Sequence, residues 1–331
     1  MSTPPELAVD VSGLCYSYGT YKAVEDVSFQ ARRGEVFALL GTNGAGKTTS
    51  LELIQGYRRP DAGEIRVLGL DPFRQRRALR RRTGFMLQEA GFLTEMTVRE
   101  MIVLWSSISG RRDDPDSAME RVDLSHRAHV RLDKLSGGEK RRLDIALSVW
   151  GSPELVVLDE PTTGLDPESR RRLWGLVDEL RAKGTTIMLT THYLEEAEAL
   201  ADRLAIMHEG RVAVAGTKRD VLASYPATIT AGLPEDAVGG LPDVSGALSV
   251  QRRPDGTEHL LRIETPVLQT DLTTLLTWAG NRGVALTDLH AQAATLENLF
   301  HAIRVGAGRL DESGPANAGE TTHAKEDVTT S

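Results

Sequence analysis

The stretch EVFALLGTNGAGKTT, residues 35–49, constrains this chain more than any other part of its sequence. An apolar stretch is followed directly by a glycine-rich segment that ends in GKTT. This is the P-loop pattern of strand, loop and helix. In that arrangement backbone N–H groups at the start of the helix close around a phosphate group. We therefore expect the nucleotide phosphates to be held by Gly41, Thr42, Asn43, Gly44, Ala45, Gly46, Lys47, Thr48 and Thr49.

Within this loop, Lys47 is expected to place a positive charge on the terminal phosphates of ATP, and the Thr48 hydroxyl to bind Mg²⁺. The acidic half of the site is expected in LVVLDEPTTGLDP, residues 155–167, where an apolar strand ends in two carboxylates. Asp159 is expected to hold the Mg²⁺. Glu160 follows at the strand end, where a carboxylate can act as general base on a reacting water.

Three further side chains are candidates because of where their strands end. His192 closes the apolar strand TIMLTTH and is expected to contact the γ-phosphate. Gln88 follows the strand at residues 83–87 and could reach the metal or the water. Tyr18 could stack on the adenine ring, although Tyr16 and Tyr21 are alternatives.

A second glycine-rich helix start lies in KLSGGEKRRLDIA, residues 134–146. Two glycines after a serine, followed by a charged helical run, are typical of a helix N-terminus that faces an anion. The simpler alternative is an amphipathic helix that Ser136 caps. The residues alone leave open why one ATP-binding chain would have two such starts.

Apolar strands alternate with helices along the first two thirds of the chain, which predicts an α/β fold with a largely parallel sheet and ligands at its carboxyl edge. The segment 7–29 predicts short antiparallel strands, and residues 97–150 predict a helical insert. Beyond residue 225 the order strand, short helix, two strands, helix, strand predicts a small α+β domain of ferredoxin-like type, closed by a helix at 296–303. Residues 306–331 contain no aromatic residue, and we expect a disordered tail there.

Composition narrows the class of partner. The formal net charge is −8, so a nucleic acid held by a general basic field is not expected. The single cysteine fits a reducing compartment, and the N-terminus lacks the pattern of a signal peptide. One local exception is FRQRRALRRR, residues 73–82, which is either a solvated helix face or a surface for a partner or for anionic lipid headgroups.

The chain resembles the ATP-binding subunits of ABC transporters in the order and rough spacing of its motifs. These are the P-loop, Gln88, LSGGE, LDE, GLD and His192. The resemblance covers about residues 7–223 and implies ATP and Mg²⁺ as cofactors. It implies a P-loop NTPase (RecA-like) core with an antiparallel β subdomain and a helical subdomain at about 97–150, in a nucleotide-binding domain over residues 1–224. The α+β accessory domain then covers 225–305, and the tail 306–331.

The same resemblance answers the question of the second helix start. In the family two nucleotide-binding domains pair head to tail, so Ser136, Gly137 and Gly138 would bind the ATP held by the partner's P-loop. Glu139 stands where many members have glutamine; it could accept a ribose hydroxyl bond but adds negative charge. Asp166, in GLD, would lie at the dimer interface and contribute to the nucleotide sites.

The chain also resembles the ATPase subunits of daunorubicin-type drug-resistance exporters, which pair with separate type-2 permeases. The segments that carry this resemblance are LSGGEKRRLDIAL, DEPTTGLDP and TLENLFHAI. This implies an ATP hydrolase at the cytoplasmic face of the membrane that pairs with a second copy of itself as a homodimer and exports a drug-like or hydrophobic substrate. An importer ATPase is the alternative, and a non-transport ABC ATPase a further one. A chromosome-maintenance ATPase would need long coiled coils, and a ribosome-acting factor a second P-loop.

Overall fold

The computed structural model describes residues 6–86, 93–253, 258–304 and 306. In the first two thirds of the chain the strands are β1 (Leu7–Tyr18), β2 (Tyr21–Arg32), β3 (Val36–Gly41), β4 (Ala62–Val67), β5 (Thr83–Met86), β6 (Leu155–Asp159), β7 (Thr186–Thr191), β8 (Arg203–His208) and β9 (Arg211–Thr217). The helices there are α1 (Lys47–Ile54), α2 (Arg76–Leu79), α3 (Val98–Ser109), α4 (Pro115–Arg121), α5 (Gly137–Val149), α6 (Pro167–Ala182), α7 (Leu194–Leu200) and α8 (Lys218–Ala223).

The central sheet has six strands in the order β5-β6-β7-β3-β8-β9, parallel except for β9, which runs antiparallel to β8. Every residue of β3, β6 and β7 is buried, as expected of parallel strands covered on both faces. β7 lies between β3 and β6, with Thr190 level with both Leu39 and Asp159. The carboxyl ends of these three strands therefore bring the P-loop, the acidic pair and His192 to one edge of the sheet.

A second, three-stranded antiparallel sheet has the order β2-β1-β4. It confirms the expectation of antiparallel strands between residues 7 and 29 and adds β4. The turn between β1 and β2 pairs Tyr18 with Tyr21, so both tyrosines lie at the same end of this sheet. Phe29 of this sheet stacks on Phe37 of β3, with ring centroids 5.1 Å apart, and joins the two sheets in one core.

The helical insert is formed by α3, α4 and α5. Thr97 caps α3 in a capping box with Glu100, and Ser136 caps α5 in a capping box with Glu139. Trp150, at the end of α5, is fully buried and donates its indole N–H to the carbonyl oxygen of Arg111. These contacts fix the orientation of α5, the helix that starts at the second glycine pair.

Beyond residue 225 lie β10 (Ala227–Leu233), β11 (Ala247–Arg252), β12 (His259–Thr265), α9 (Leu268–Arg282), β13 (Thr287–Gln292) and α10 (Leu296–Arg304). The four strands form an antiparallel sheet in the order β11-β12-β10-β13, the order of a ferredoxin-like fold. Its core lies between the sheet and α9, around Ile229, Leu261 and Leu275. The first helix of the pattern is reduced to a single 3₁₀ turn, Glu235–Ala237.

The last helix differs from the expectation that it would close this small domain. Leu296, Leu299 and Ile303 of α10 pack into the core of the preceding domain, against α7 and β8. The reason is that the face of the small sheet opposite α9 is polar, whereas α7 and β8 offer an apolar surface. The chain therefore returns to the first domain after β13.

None of the helices within the described residues has the length and apolarity to cross a membrane. The expected tail, 306–331, lies outside the described residues except for Gly306.

Candidate phosphate-binding and catalytic site

Two glycines of the P-loop are required by close backbone approach. A Cβ on Gly41 would lie 2.7 Å from the carbonyl oxygen of Met207. Gly46 has φ +99°, and a Cβ there would lie 2.5 Å from the carbonyl oxygen of Ala23. Gly46 precedes α1 and makes no side-chain cap, so the first N–H groups of α1 stay available to an anion.

Lys47 is held at the centre of the loop. Its side chain is only 6% exposed, and its Nζ donates to the carbonyl oxygens of Gly41 at 2.7 Å and Thr42 at 3.2 Å. Nζ also lies 3.8 Å from Oε1 of Glu160. Burial lowers the pKa of Lys47, and the nearby carboxylates of Glu160 and Asp159 oppose that shift.

Thr48 and Asp159 form a pair of hard oxygen donors. Thr48 Oγ1 lies 3.3 Å from Asp159 Oδ2, and Thr190 donates its hydroxyl to Asp159 Oδ1. Burial raises the pKa of Asp159, an effect that the hydrogen bond from Thr190 reduces. A hydroxyl and a carboxylate oxygen are ligands that Mg²⁺ prefers, so these residues fit the metal expected from the sequence.

Glu160 occupies an unusual backbone position, with φ +48° in the left-handed region. Its N–H donates to the carbonyl oxygen and hydroxyl of Thr190, at 3.1 and 3.0 Å. Its carboxylate lies between two basic side chains, with Oε1 at 3.8 Å from Lys47 Nζ and 3.3 Å from His192 Nδ1. Such a left-handed conformation costs a non-glycine residue about 1–3 kcal/mol, so surrounding contacts must hold it in place.

Arg141, which is not among the candidates predicted from the sequence, helps to hold Glu160 in this conformation. Its Nη2 donates to the carbonyl oxygens of Asp159 and Glu160, both at 2.5 Å, and its Nε to that of Pro161 at 3.3 Å. Burial lowers the pKa of the Arg141 guanidinium, while Asp144 and Asp159 oppose the shift. Arg141 lies on α5, so the second glycine-rich helix start is tied directly to the acidic strand end. Nothing in the sequence distinguishes Arg141 from its basic neighbours Lys140 and Arg142.

The three candidate tyrosines differ in whether they line the cavity above the P-loop. Tyr18 and Tyr21 line the cavity of about 240 Å³ above the P-loop, together with Thr42–Thr49 and Glu160. The Tyr18 hydroxyl donates to Glu52 at 3.2 Å, and Arg58 lies over its ring, 4.8 Å from the centroid. Tyr16 meets Tyr18 edge to face and accepts a hydrogen bond from Arg58, outside the cavity. Tyr18 and Tyr21 thus remain the candidates for the adenine.

The second helix start is open to solvent. Ser136 and Gly137 are exposed, and a Cβ on Gly137 would meet no atom within 4 Å. A Cβ on Gly138 would lie 3.8 Å from Leu165, in the GLD segment of the same chain. In the described part of the chain the P-loop cavity is lined by no residue of this helix start. The structure therefore does not bring the two glycine-rich starts together within one chain.

Glu139 and Asp166 both have structural partners. Glu139 Oε2 accepts from the Ser136 N–H at 2.8 Å and Oε1 from Arg127 at 2.7 Å; the bond from Ser136 and the charge of Arg127 lower the pKa of Glu139. Asp166 caps α6, and hydrogen bonds from Ser169 and Glu168 lower its pKa to about 2. Contact with a ribose would compete with these bonds for Glu139. Gln88, the remaining candidate, lies outside the described residues.

Comparison with known proteins gives matches over both parts of the chain. A family model described as ABC transporter matches residues 24–163, which contain the P-loop, the second helix start and the acidic pair. A second model, described as the C-terminal domain of ABC transporter domain-containing protein-like sequences, matches residues 227–295.

Two curated relatives are each 40% identical to this chain. Nod factor export ATP-binding protein I of Paraburkholderia xenovorans aligns over 66% of this chain and 74% of its own length. Daunorubicin resistance ATP-binding protein DrrA3 of Streptomyces coeruleorubidus aligns over 66% and 71%. A solved ATP-binding subunit of an ABC transporter is 31% identical, with a TM-score of 0.61 over 65% of this chain and 91% of its own.

Proposed function

The chain belongs to the ABC transporter ATP-binding proteins, and from that premise we propose that it drives export through a separate membrane permease. Membership confirms the resemblance found in the sequence, and with it an ATP hydrolase coupled to transport. The two relatives named for Nod factor export and daunorubicin resistance support export. We propose a drug-like or hydrophobic substrate.

The position of the Glu160 carboxylate between Lys47 and His192 supports hydrolysis at this site most directly. Glu160 can accept a proton from a water aligned with the γ-phosphate, a general-base role typically worth about 10²–10⁴ in rate. His192 Nδ1 lies 3.3 Å from Oε1 of Glu160, the same oxygen that lies near Lys47. His192 can therefore orient that carboxylate and contact the γ-phosphate. Lys47 would bind the terminal phosphates, and the open N-terminus of α1 would bind the other phosphate oxygens.

Thr48 and Asp159 would hold Mg²⁺, and Gln88 is retained as a further proposed ligand. The metal, when bound, supplies charge neutralisation of the phosphate oxygens. Asp159 is suited to it because Thr190 already fixes one of its oxygens and leaves the other beside Thr48.

The exposed start of α5 supports a dimer around two nucleotides. Ser136 and Gly137 face solvent and lie outside the cavity above their own P-loop, so an anion bound to them would come from another molecule. One helix N-terminus stabilises an anion by about 0.3–1 kcal/mol, which biases association only while the partner's ATP is present. We propose that two copies of this chain pair head to tail and separate after hydrolysis.

A groove beside the arginine cluster is suited to a segment of the permease. This cavity, of about 640 Å³, lies between α2, β5, α3 and α5 and is lined in part by Trp105, Arg76 and Arg77. Among the described residues, three buried lining side chains have a polar atom without a hydrogen-bond partner: Gln55 Oε1, Arg111 Nε and Asp144 Oδ2. Such atoms are costly when left unpaired, and the rim is basic, so we propose that an acidic, partly apolar permease segment completes the groove.

This assignment puts the protein on the cytoplasmic face of the membrane, held by its permease. We propose residues 1–224 as the nucleotide-binding domain and 225–305 as the accessory domain, with α10 returning to the former.

The proposal is tested by recovering tagged protein from detergent-solubilised membranes of the source cells with Mg·ATP. We expect a multi-span permease to co-purify. The proteins encoded with that permease, and the compound that it transports, should then show that it is an exporter. Arg77→Glu should reduce this recovery at least about tenfold while the ATPase of the isolated subunit is retained. Arg74→Glu is the matched control, because Arg74 pairs with Asp71 and does not line the groove.

Recovery of an importer permease with an external binding protein would contradict export but retain transport. Recovery of ribosomes or DNA-bound proteins without a membrane protein would contradict transport altogether.

A further inference from the structure

One face of the C-terminal sheet carries polar side chains that none of the described helices of its own domain covers. Successive residues of a strand point to opposite faces, and Ile229 and Leu261 are buried against α9 with Leu275. Thr228 and Thr230 therefore lie on the opposite face of β10, where they are half-buried.

Strand register places the side chains of that face in two rows. Thr230 of β10 pairs with Arg262 of β12 on one side and with His290 of β13 on the other. In the next row, Thr228 pairs with Glu264 and with Gln292. A guanidinium, a hydroxyl and an imidazole thus lie in line across three strands.

The helix α10 forms the opposite wall. Leu299 and Ile303 pack into the core of the nucleotide-binding domain, whereas Asn298 and His301 line a cleft of about 350 Å³ in front of the polar rows. Tyr225, at the junction of the domains, lines the same cleft and packs against the first domain. The cleft therefore has one wall in each domain, and its volume is in the range of small-molecule sites.

The lining suits an anion by its hydrogen-bond donors rather than by net charge, because the Arg262 guanidinium pairs with Glu264. In the described part of the chain its lining contains Arg262, His290 and His301 but no carboxylate. Glu264, in the adjacent row, binds Arg262 at 2.9–3.0 Å and holds the guanidinium at the cleft. His290 Nδ1 lies 2.8 Å from the carbonyl oxygen of Asp288, so Nδ1 is the donor there, and Nε2 donates to an anion when the ring carries its second proton.

We propose that this cleft binds a small anion with several acceptor oxygens, a phosphate or phosphate-bearing molecule, between the C-terminal sheet and α10. Arg262 can donate from Nη1 and from the second N–H of Nη2, since Nε and Nη2 already contact Glu264. Thr228, Thr230 and Asn298 supply neutral hydrogen bonds. Because α10 is anchored on α7 and β8, an anion held by both walls ties the C-terminal sheet to the nucleotide-binding domain. The ligand would be an effector, since the cleft is separate from the P-loop cavity.

The test uses the full chain and inorganic phosphate, which can also enter the P-loop, so the readout must be local. We would follow the ring C–H resonances of the eight histidines by NMR, assigned by single His→Asn variants. Those of His290 and His301 should shift saturably, with half-saturation at about 1 mM or below. Arg262→Gln, an exposed position, should raise the half-saturation concentration at least about tenfold.

Arg252→Gln is the matched control, because Arg252 is exposed on the same sheet and does not line the cleft. Glycerol, which is neutral, should leave both resonances unchanged. Hydrogen exchange should show slower exchange in α10 and β10 with phosphate in the control and not in Arg262→Gln. Shifts that rise linearly with phosphate, or that persist in Arg262→Gln, would overturn the proposal.

Discussion

The guanidinium of Arg141 donates to the carbonyl oxygen of Glu160 at 2.5 Å. This bond joins α5, whose exposed start is proposed to bind the partner's ATP, to the residue proposed as general base in the same chain. It gives a direct physical route by which occupancy of one proposed nucleotide site could reach the carboxylate proposed as general base at the other.

We expect Arg141→Met to lower kcat for ATP at least about tenfold with little change in KM, because a small displacement of a catalytic group is costly. Arg141→Lys should recover part of the loss, since an ammonium can donate to one or two of the three carbonyl oxygens. The measurement is steady-state phosphate release, with Lys140→Met on the same helix as control. Unchanged kcat in Arg141→Met would refute the positioning role.

Glu160→Gln should leave ATP binding intact and lower turnover by about 10²–10⁴, because an amide cannot take the proton from water. The bound ATP would then persist, so the variant should sediment as a dimer with Mg·ATP and as a monomer without nucleotide. The control is Glu168→Gln, an exposed residue in the first turn of α6. Turnover by Glu160→Gln at the rate of the parent chain would exclude this residue as general base.

The start of α5 offers a test that separates binding from folding. A Cβ on Gly137 meets no atom within 4 Å, and a carboxylate in the first turn of a helix is favourable, so Gly137→Asp should keep its thermal stability. The added charge would repel the partner's phosphates, so ATP-dependent dimerisation and turnover should fall at least about tenfold.

Gly175→Asp is the matched control, because Gly175 is exposed on α6 and also has no neighbour within 4 Å of a Cβ. If Gly137→Asp dimerised with ATP as the control does, this surface would not be the contact with the partner's nucleotide.

The sequence predicted the P-loop, the acidic pair and the open helix start because each depends on residues that are adjacent in the chain. A strand that ends in Gly41 and a helix that begins at Lys47 leave little freedom between them. The structure confirms three predictions of the fold: the largely parallel sheet, the antiparallel sheet near the N-terminus and a ferredoxin-like order of the last four strands.

What the sequence could not give depends on contacts between distant segments. Arg141 acquires its role only when α5 packs against the end of β6. The apolar residues of α10 predict a buried face but not which domain buries it. The residues of β4, AGEIRV, alternate too weakly between apolar and polar to predict a strand. The strand is defined by its pairing with β1.

Asp144 predicts a pH dependence of stability. Burial raises its pKa from 3.8 to about 7, partly opposed by Arg141. Between these values the folded chain retains a proton that the unfolded chain has released, so the free energy of unfolding falls as pH rises.

The asparagine of Asp144→Asn cannot ionise, so its stability should not fall with pH in this way. The difference in free energy of unfolding between Asp144→Asn and the parent chain should therefore shift in favour of the variant by at least about 1 kcal/mol from pH 5 to pH 8. Thermal unfolding at both pH values measures this, with the exposed Asp178→Asn as control. A difference that is the same at pH 5 and pH 8 would show that Asp144 does not titrate in this range.

The two tyrosines at the P-loop cavity can be separated by nucleotide affinity. Tyr18 is fixed by Glu52 and Arg58, whereas Tyr21 is 60% exposed and, among the described residues, its hydroxyl donates only to the carbonyl oxygen of Gly44, at 3.5 Å. A preorganised ring stacks on a base at lower entropic cost, so Tyr18→Ala should weaken ATP binding by about 1–3 kcal/mol and Tyr21→Ala by less. Equilibrium binding of ATP and of inorganic triphosphate measures this, since triphosphate lacks the base and should bind both variants equally. A larger loss in Tyr21→Ala would transfer the adenine contact to Tyr21.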